Sequence, residues 1–477
     1  MTMKIEDIGR AVRETQYAVR GPIVARAQAL ERAGRSIIYC NIGNPQSLGQ
    51  RPLTWVRQVL ALCEYPEVLA SVPEGTFPAD VIATAKRVLS ESKHGLGAYT
   101  DSRGYAFVRE AVAQFIRERD GIEADPETLY LTDGASKAAQ AVLRLLIDDA
   151  RDGIMIPIPQ YPLYSATITL YGGAMIPYAL DEKAGWALSR ETLERAVEDA
   201  KARGVKPRAI VVINPGNPTG AVLHEANIGM VLGFAARHGL TVLADEVYQE
   251  NLYVPGDKFV SFAKVLETRG LIDVSLFSFH SVSKGFLGEC GHRGGYVELR
   301  NVPAPVRDEL TKLQSVSLCA NSVGQIVTYL MVRPPRPGDP SFECYDRERR
   351  DILDALKRKA RLLVEGLNAV PGILCNAVTG AMYAFPSLTL PPGVTDAQYC
   401  MALLEETGIC LVPGSGFGQA AETWHFRATI LPPMEQIQAV VEQIAAFHVK
   451  FVAERAAEPE DEPVPRPAPR GRKITPA

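Results

Sequence analysis

The 477-residue chain lacks paired cysteine motifs and a large excess of charge of either sign. Its eight cysteines are scattered and form no CxxC pair, which argues against a zinc ribbon or a redox motif. We interpret them as reduced, mostly buried thiols of a cytoplasmic protein. The formal net charge of −4 argues against nucleic acid as the main partner, because nucleic-acid binders usually carry a basic face.

The sequence also lacks the patterns of several other protein classes. The N-terminal stretch MTMKIEDIGRAVRETQYAVRG has no apolar core, so we expect no secretory signal. No apolar run approaches the length of a bilayer, so we predict no membrane partner. The seven histidines show no HExxH-type spacing, so we predict no catalytic metal. GSGFGQ at 414–419 lacks the spacing of a dinucleotide loop, which argues against a nicotinamide dehydrogenase.

Between residues 96 and 335, short apolar segments alternate with helical patterns. Predicted strands lie within 207–220, 240–249 and 273–285, and a predicted helix covers 228–239. Nearly continuous apolar strands separated by helices are typical of a mostly parallel sheet that helices cover on both faces. The sequence therefore predicts an α/β protein with a large domain at 96–335.

The remaining segments differ in character from this large domain. Residues 1–95 are predicted to form an N-terminal arm and part of a smaller α+β domain. A Pro-rich break near 335 and a long charged helix introduce the rest of that small domain, at 336–452. Residues 453–477 are rich in proline and poor in large apolar residues, so we predict a disordered tail.

Polar side chains follow three successive predicted strands of the large domain. Ligands bind at the carboxyl ends of strands in open parallel sheets, so we expect these side chains to share a cleft. Taken singly, each has an ordinary alternative: a helix cap, a solvated lysine or a half-buried tyrosine. The side chains, in chain order, are Asn214 and Asn217, Asp245 and Tyr248, and Ser281 and Lys284.

Other residues suggest what the cleft binds. Ala135 and Ser136 begin a predicted helix after a strand, where free N–H groups and the helix dipole favour a phosphate. Arg293 is flanked by glycines and can approach a phosphate closely, and Tyr161 supplies an aromatic ring. A lysine, a carboxylate and a phosphate anchor together match pyridoxal phosphate. Arg427 lies on the polar face of a predicted half-buried strand, where it can bind a carboxylate or form a surface salt bridge.

Long motifs along residues 4–451 resemble those of the pyridoxal-phosphate-dependent class I/II aminotransferases of fold type I. They include CNIGNPQSLGQRPLTWVRQVLALC, LTDGASKA, PIPQYPLYSA, INPGNPTG, LADEVYQENLY and SFHSVSKGFLGECGHRGGY. Within this family, the resemblance is to the branch that uses L-alanine. It implies reversible transfer of the amino group from L-alanine to 2-oxoglutarate, giving pyruvate and L-glutamate. It also implies a homodimer with shared active sites.

The resemblance implies a role for each residue of the site. Lys284 corresponds to the lysine that binds the cofactor as a Schiff base and moves the substrate proton. Asp245 corresponds to the acid on the pyridine nitrogen, and Arg427, with the backbone of Gly43, to the clamp on the substrate carboxylate. Further cofactor contacts are implied for Tyr99 (across the subunit boundary), Ala135, Ser136, Tyr161, Asn217 (also near the substrate), Tyr248, Ser281 and Arg293.

Three other functions share parts of this pattern. A carbon–sulfur β-lyase has the same cofactor residues, and only its products distinguish it. A glutamate–glyoxylate aminotransferase is hard to separate from an enzyme that uses alanine. A ligand sensor built on the same scaffold would carry a basic DNA-binding domain at its N-terminus, and the first hundred residues show no basic recognition helix.

Overall fold

The computed structural model describes residues 2–17, 21–71, 73–420 and 422–457. The helices are α1 Arg10–Glu14, α2 Pro22–Arg32, α3 Thr54–Glu64, α4 Val68–Ser71, α5 Ala79–Ser92, α6 Ala106–Asp120, α7 Ala135–Leu146, α8 Pro162–Tyr171, α9 Arg190–Ala202, α10 Glu225–His238, α11 Phe262–Thr268, α12 Ala304–Ser315, α13 Ser322–Val332, α14 Phe342–Asn368, α15 Asp396–Thr407 and α16 Met434–Ala457. The strands are β1 Ile38–Tyr39, β2 Leu129–Leu131, β3 Asp152–Ile158, β4 Ala174–Ala179, β5 Lys206–Ile213, β6 Thr241–Asp245, β7 Leu276–Ser281, β8 Gly295–Arg300, β9 Ile373–Leu374, β10 Tyr383–Ala384, β11 Ser387–Leu388, β12 Ile409–Cys410, β13 Val412–Pro413 and β14 Trp424–Thr429.

The large domain is built on a seven-stranded sheet in the order β2-β8-β7-β6-β5-β3-β4. The neighbours from β7 to β4 pair in parallel, whereas β8 runs antiparallel to both β7 and β2. The prediction of an α/β fold with a mostly parallel sheet is therefore confirmed. β5, β6 and β7 are direct neighbours, so their carboxyl ends share one edge of the sheet.

Helices cover both faces of this sheet, which explains its nearly continuous apolar strands. Along β6, Val242 and Ala244 pack into one cluster with residues of α9, α10 and α11. Leu243 points to the opposite face and packs with residues of α7 and α8. Successive residues of a strand alternate between faces, so a strand that is buried on both sides is apolar at every position.

The small domain combines short antiparallel strands with long helices. β14 is paired by β10, β11 and β13, and α14, α15 and α16 pack around them. α2 and β1 also belong here, because β1 pairs with β12. In contrast, α3 and α5 bury their apolar stripes with residues of α6 and α13 in the large domain. The helices and the strand described between residues 21 and 95 therefore divide between the two domains.

The C-terminal helix is longer than the sequence predicted. α16 continues to Ala457, so residues 453–457 are helical where we expected the beginning of the tail. The rest of the predicted tail, 458–477, lies outside the described residues. Among the described residues, none of the helices has both the length and the apolar character needed to cross a membrane.

The two-sided burial of β6 makes a prediction about stability. Leu243 is fully buried, and Leu243→Ala removes side-chain atoms from a packed layer. We expect a loss of about 2–5 kcal/mol of unfolding free energy, visible as a lower urea midpoint in a spectroscopic titration. Leu374→Ala is the matched control, because Leu374 is 63% exposed and should shift the midpoint very little. Equal shifts in the two variants would contradict the assigned core.

Candidate active site

The carboxyl ends of β5, β6 and β7 meet at one cavity, but Asn214, directly after β5, does not line it, and its Oδ1 accepts from the backbone N–H of Leu223. The volume of this cavity is about 850 Å³, and residues from both domains line it. The predicted site residues among its lining are Gly43, Ala135, Ser136, Tyr161, Asn217, Asp245, Tyr248, Ser281, Lys284, Arg293 and Arg427. Tyr99 is not among the residues that line this cavity, and its side chain is 79% exposed.

Lys284 projects into the cavity three residues after β7 ends. Its Nζ donates a hydrogen bond to the carbonyl O of Gly43 at 2.6 Å, and it lies 5.8 Å from the centre of the Tyr248 ring. A Cβ atom at Gly43 would lie 1.8 Å from the Tyr383 hydroxyl oxygen and 3.1 Å from Lys284 Nζ. Only glycine therefore allows the backbone to come this close to the lysine.

Asp245 closes β6 and is 5% exposed. The Tyr164 hydroxyl donates to its Oδ2 at 2.8 Å, while its Oδ1 is buried and has no hydrogen-bond partner among the described residues. Burial raises the pKa of Asp245 to about 6, although the Tyr164 hydroxyl, the Val247 backbone N–H and Lys284 act in the opposite direction. A cationic N–H donor facing Oδ1 would favour the charged carboxylate.

The start of α7 forms a cup suited to an anion. Gly134 precedes the helix with a φ of 76°, and the first N–H groups of a helix have no intrahelical partner. Arg293 also has a positive φ, of 54°, and its guanidinium donates to the carbonyl oxygens of Cys290 and Asp133. The Ser281 hydroxyl lies at the end of β7 and contacts Ser283 Oγ at 3.0 Å. These groups surround the part of the cavity beside Ala135 and Ser136.

Arg427 lies on β14 and is only 1% exposed. The prediction of a half-buried strand is wrong here, because strands pair with β14 on both sides and helices cover it, so five of its six residues are buried. The guanidinium donates to Asn217 Oδ1 at 3.2 Å and to the carbonyl O of Asn41 at 2.6 Å. Its Nε has no partner among the described residues, so it keeps a donor for a ligand.

Several lining residues escaped the sequence analysis. Tyr383 lies in the apolar run GAMYAF, and Tyr17 donates to or accepts from the Tyr161 hydroxyl at 3.0 Å. Tyr164, whose hydroxyl bonds the carboxylate at the end of β6, was also missed, but it does not line the cavity. Asn41 is fully buried, and neither atom of its amide has a partner among the described residues. A signal existed only for Asn41, a polar residue at the end of an apolar segment.

The fold and this cavity define a class of protein, the fold type I transferases, in which a lysine and an acid meet at the carboxyl edge of a mostly parallel sheet. Within that class, the chain belongs to the aminotransferase class I and II family, whose model matches residues 71–444.

Individual proteins show how far the similarity extends. The chain is 49% identical to a protein of Dictyostelium discoideum named as a probable mitochondrial alanine aminotransferase, over 94% of this chain and 90% of that protein. It is 47% identical to glutamate–glyoxylate aminotransferase 1 of Arabidopsis thaliana, over 94% and 96%. The structure of an alanine aminotransferase from Pyrococcus furiosus matches with a TM-score of 0.77 and 25% identity, over 93% of this chain and all of that one.

The close packing at Gly295 yields a test of the anion cup. A Cβ atom there would lie 2.6 Å from the carbonyl O of His280 and 3.1 Å from Cα of Gly134. Gly295→Ala should therefore displace β8 from the start of α7, at a cost of about 1–3 kcal/mol. We expect weaker binding of pyridoxal phosphate, the cofactor that the sequence resemblance implies, in an absorbance titration of the cofactor-free protein.

Gly291→Ala is the matched control for this measurement. A Cβ atom at Gly291 would meet no atom within 4 Å, and its φ is not positive. If both variants bound the cofactor as tightly as the wild type, the close approach of β8 to α7 would not matter for binding.

The raised pKa of Asp245 predicts a pH dependence of stability. Its folded value of about 6 lies above the ordinary value of about 3.9, so between them the folded cofactor-free chain binds more protons than the unfolded chain. The destabilising effect of this buried charge grows as the pH rises through that window. Asp245→Asn removes this charge and should raise the unfolding free energy of the cofactor-free protein by up to about 3 kcal/mol above that window.

We expect the cofactor-free Asp245→Asn variant to melt at a higher temperature than the wild type at pH 8, with the gap closing towards pH 4. Comparing the two proteins at each pH cancels the other buried acids, such as Glu246, whose pKa burial raises to about 7. A gap that is constant with pH would show that Asp245 does not titrate in this window.

Proposed function

We propose that this protein binds pyridoxal phosphate and catalyses the reversible transfer of the amino group from L-alanine to 2-oxoglutarate. One observation carries the proposal: Lys284 and Asp245, from neighbouring strand ends, share a cavity with the buried Arg427. A lysine that can bind an aldehyde, an acid for a ring nitrogen and a cation for a carboxylate are the groups this chemistry needs.

The residues fit the cofactor that members of the family generally use. The unpartnered Oδ1 of Asp245 can accept a hydrogen bond from a protonated pyridine nitrogen, and the start of α7 with Arg293 can hold a phosphate. Tyr161 can lie against the ring, and Asn217 and Tyr248 can hold its phenolic oxygen. Pyridoxal phosphate, when bound, supplies an electron sink that makes the substrate Cα proton easier to remove.

The protein's own residues bind the substrate and move the proton. Arg427 is fixed by Asn217 and Asn41 and is hidden from water, so its attraction for the substrate α-carboxylate is not weakened by solvent. Lys284 Nζ, held beside Gly43, takes the proton from the substrate Cα as a general base. Gly43 keeps base and carboxylate site close together, because its missing side chain leaves room for both.

The relatives support alanine as the amino donor, since the Dictyostelium protein is named as a probable alanine aminotransferase. They also favour a second acceptor, because the Arabidopsis relative at 47% identity is named as a glutamate–glyoxylate aminotransferase. We therefore propose glyoxylate as a candidate acceptor besides 2-oxoglutarate. Measuring the transamination rate of the same purified protein with each acceptor tests this proposal.

We further propose that the protein works as a homodimer. Tyr99, Val316 and Leu318 expose 79%, 82% and 51% of their surfaces. Hydrogen bonds from Ser315 to Ser102 and from Gln325 to Thr100 hold the segment around Tyr99 beside the segment that contains Val316 and Leu318. An apolar surface of this kind suits a second copy of the chain, and pairing through it would bring Tyr99 to the neighbouring site.

Cytoplasmic placement stays a prediction that rests on the eight unpaired cysteines, and the Dictyostelium relative is named as mitochondrial.

Absorbance spectroscopy of the cofactor-loaded protein tests the proposed reaction. We expect L-alanine to remove the visible band and 2-oxoglutarate to restore it, with pyruvate and glutamate as products. A band that does not respond to alanine would exclude it as the donor.

Lys284→Ala should fold, bind the cofactor without the covalent bond and lose at least about 10³-fold in transamination rate. Lys312→Ala, at a lysine exposed on α12, is the control and should keep the wild-type rate. Wild-type turnover by Lys284→Ala would disprove the assigned base.

A further inference from the structure

Tyr383 lies between the two cations of the proposed site, and sequence analysis gave it no role. We propose that Tyr383 is a positioning residue for both: its ring orients Arg427, and its hydroxyl orients Lys284 through the contacts beside Gly43. This inference rests on the proposed function, because it assigns a further residue to the same reaction.

The ring of Tyr383 is fixed against the guanidinium of Arg427. The Cζ atom of Arg427 lies 4.2 Å from the centre of this ring and 4.7 Å from the centre of the Phe417 ring. β10 pairs with β14 so that Tyr383 faces Thr429, which fixes the tyrosine beside the arginine strand. A cation held by two ring faces and two hydrogen bonds keeps one orientation, because a cation–π contact is stronger when water is excluded.

The hydroxyl of Tyr383 points to the other end of the site. Tyr248 Oη donates to it at 3.4 Å, and Asn217 Nδ2 donates to Tyr248 Oη at 3.4 Å. The Cβ position of Gly43 lies 1.8 Å from Tyr383 Oη and 3.1 Å from Lys284 Nζ, so the hydroxyl and the amine both lie close to the same point beside Gly43. Tyr383 Oη accepts one hydrogen bond among the described residues, from Tyr248, and a phenolic oxygen has room for a second donor such as Lys284.

The charges around the hydroxyl favour its role as an acceptor. Burial alone would raise the pKa of Tyr383, but Lys284 and Arg427 outweigh burial and the pKa is lowered. Burial and Tyr383 raise the pKa of Tyr248 well above its ordinary value, so Tyr248 keeps its proton and donates. The titratable groups that face Tyr383 are Lys284, Arg427, Tyr248, Cys290 and Tyr161.

The two contacts can be separated, because one uses the ring and the other uses only the oxygen. Tyr383→Phe keeps the ring and removes the hydroxyl, whereas Tyr383→Leu removes both. A residue that only filled space would give similar small effects in both variants. A positioning residue changes proton chemistry in the first and adds a defect in carboxylate binding in the second.

Tyr383→Phe is studied as the cofactor-loaded protein. An oxygen that accepts a hydrogen bond favours the protonated form of the nitrogen beside it. We therefore expect the pH midpoint of the visible absorbance band to move to lower pH, by about half a unit or more, and kcat to fall about tenfold. Binding of glutarate, an unreactive dicarboxylate that competes for Arg427, should stay within twofold of the wild type.

Tyr383→Leu should weaken glutarate binding by about tenfold in the same spectroscopic titration, because the guanidinium loses one of its two ring contacts. Tyr383→Met serves as a second variant if the leucine protein does not fold. Tyr399→Phe is the matched control, because Tyr399 is a buried tyrosine of the same small-domain core and does not line the cavity. Removal of its hydroxyl should leave the pH midpoint, kcat and the affinity for glutarate unchanged.

The outcomes separate this inference from the proposed function. A wild-type protein whose band ignores alanine would overturn the proposed function itself. If the wild-type band responds to alanine but Tyr383→Phe has the same pH midpoint and kcat as the wild type, the role of the hydroxyl is overturned. Wild-type glutarate affinity in a folded Tyr383→Leu or Tyr383→Met protein would overturn the role of the ring.

Discussion

The burial of charge around a single cavity is the constraint on which the rest of the site depends. Asp245 and Arg427 are almost fully removed from water, and Lys284 is partly so. A buried charge is costly unless polar partners surround it. The structure supplies them from the strand ends and loops: the Tyr164 hydroxyl for Asp245, backbone carbonyls for Lys284 and Arg427, and an amide oxygen for Arg427.

Glycine makes this density of polar groups possible. At Gly43, Gly134 and Gly295, a single added carbon would come within 2.8 Å of a neighbouring atom. These neighbours are the Tyr383 hydroxyl, the Arg293 guanidinium and the backbone of β7. The site is therefore specified as much by the side chains that are missing as by those that are present.

The sequence predicted the parts of the site that lie on regular parallel strands. Nearly continuous apolar segments and the edge rule for parallel sheets were enough to bring Asn217, Asp245 and Lys284 together, because β5, β6 and β7 follow one another in both sequence and space. The small domain is different, since its short strands pair out of sequence order, with β14 between β10, β11 and β13. Neither the burial of Arg427 nor the place of Tyr383 could be derived from a local pattern, because both depend on that pairing.

The site therefore depends on how the two domains are aligned. The large domain provides the lysine and the acid, and the small domain provides the arginine and the tyrosine beside it. Polar contacts cross between them inside the cavity, from Arg427 to Asn217 and from Tyr248 to Tyr383.

A further contact between the two domains lies outside the cavity, where His425 Nε2 lies 3.1 Å from Glu182 Oε2. Because His425 and Arg427 are two residues apart on β14, they share a face of the strand, and a contact that fixes one also fixes the direction of the other. Arg427 is thus held in position relative to Lys284 by its own bond to Asn217 and by the contact of His425 on the same strand. A shift of either domain would change the distance between Arg427 and Lys284, which must act on one substrate.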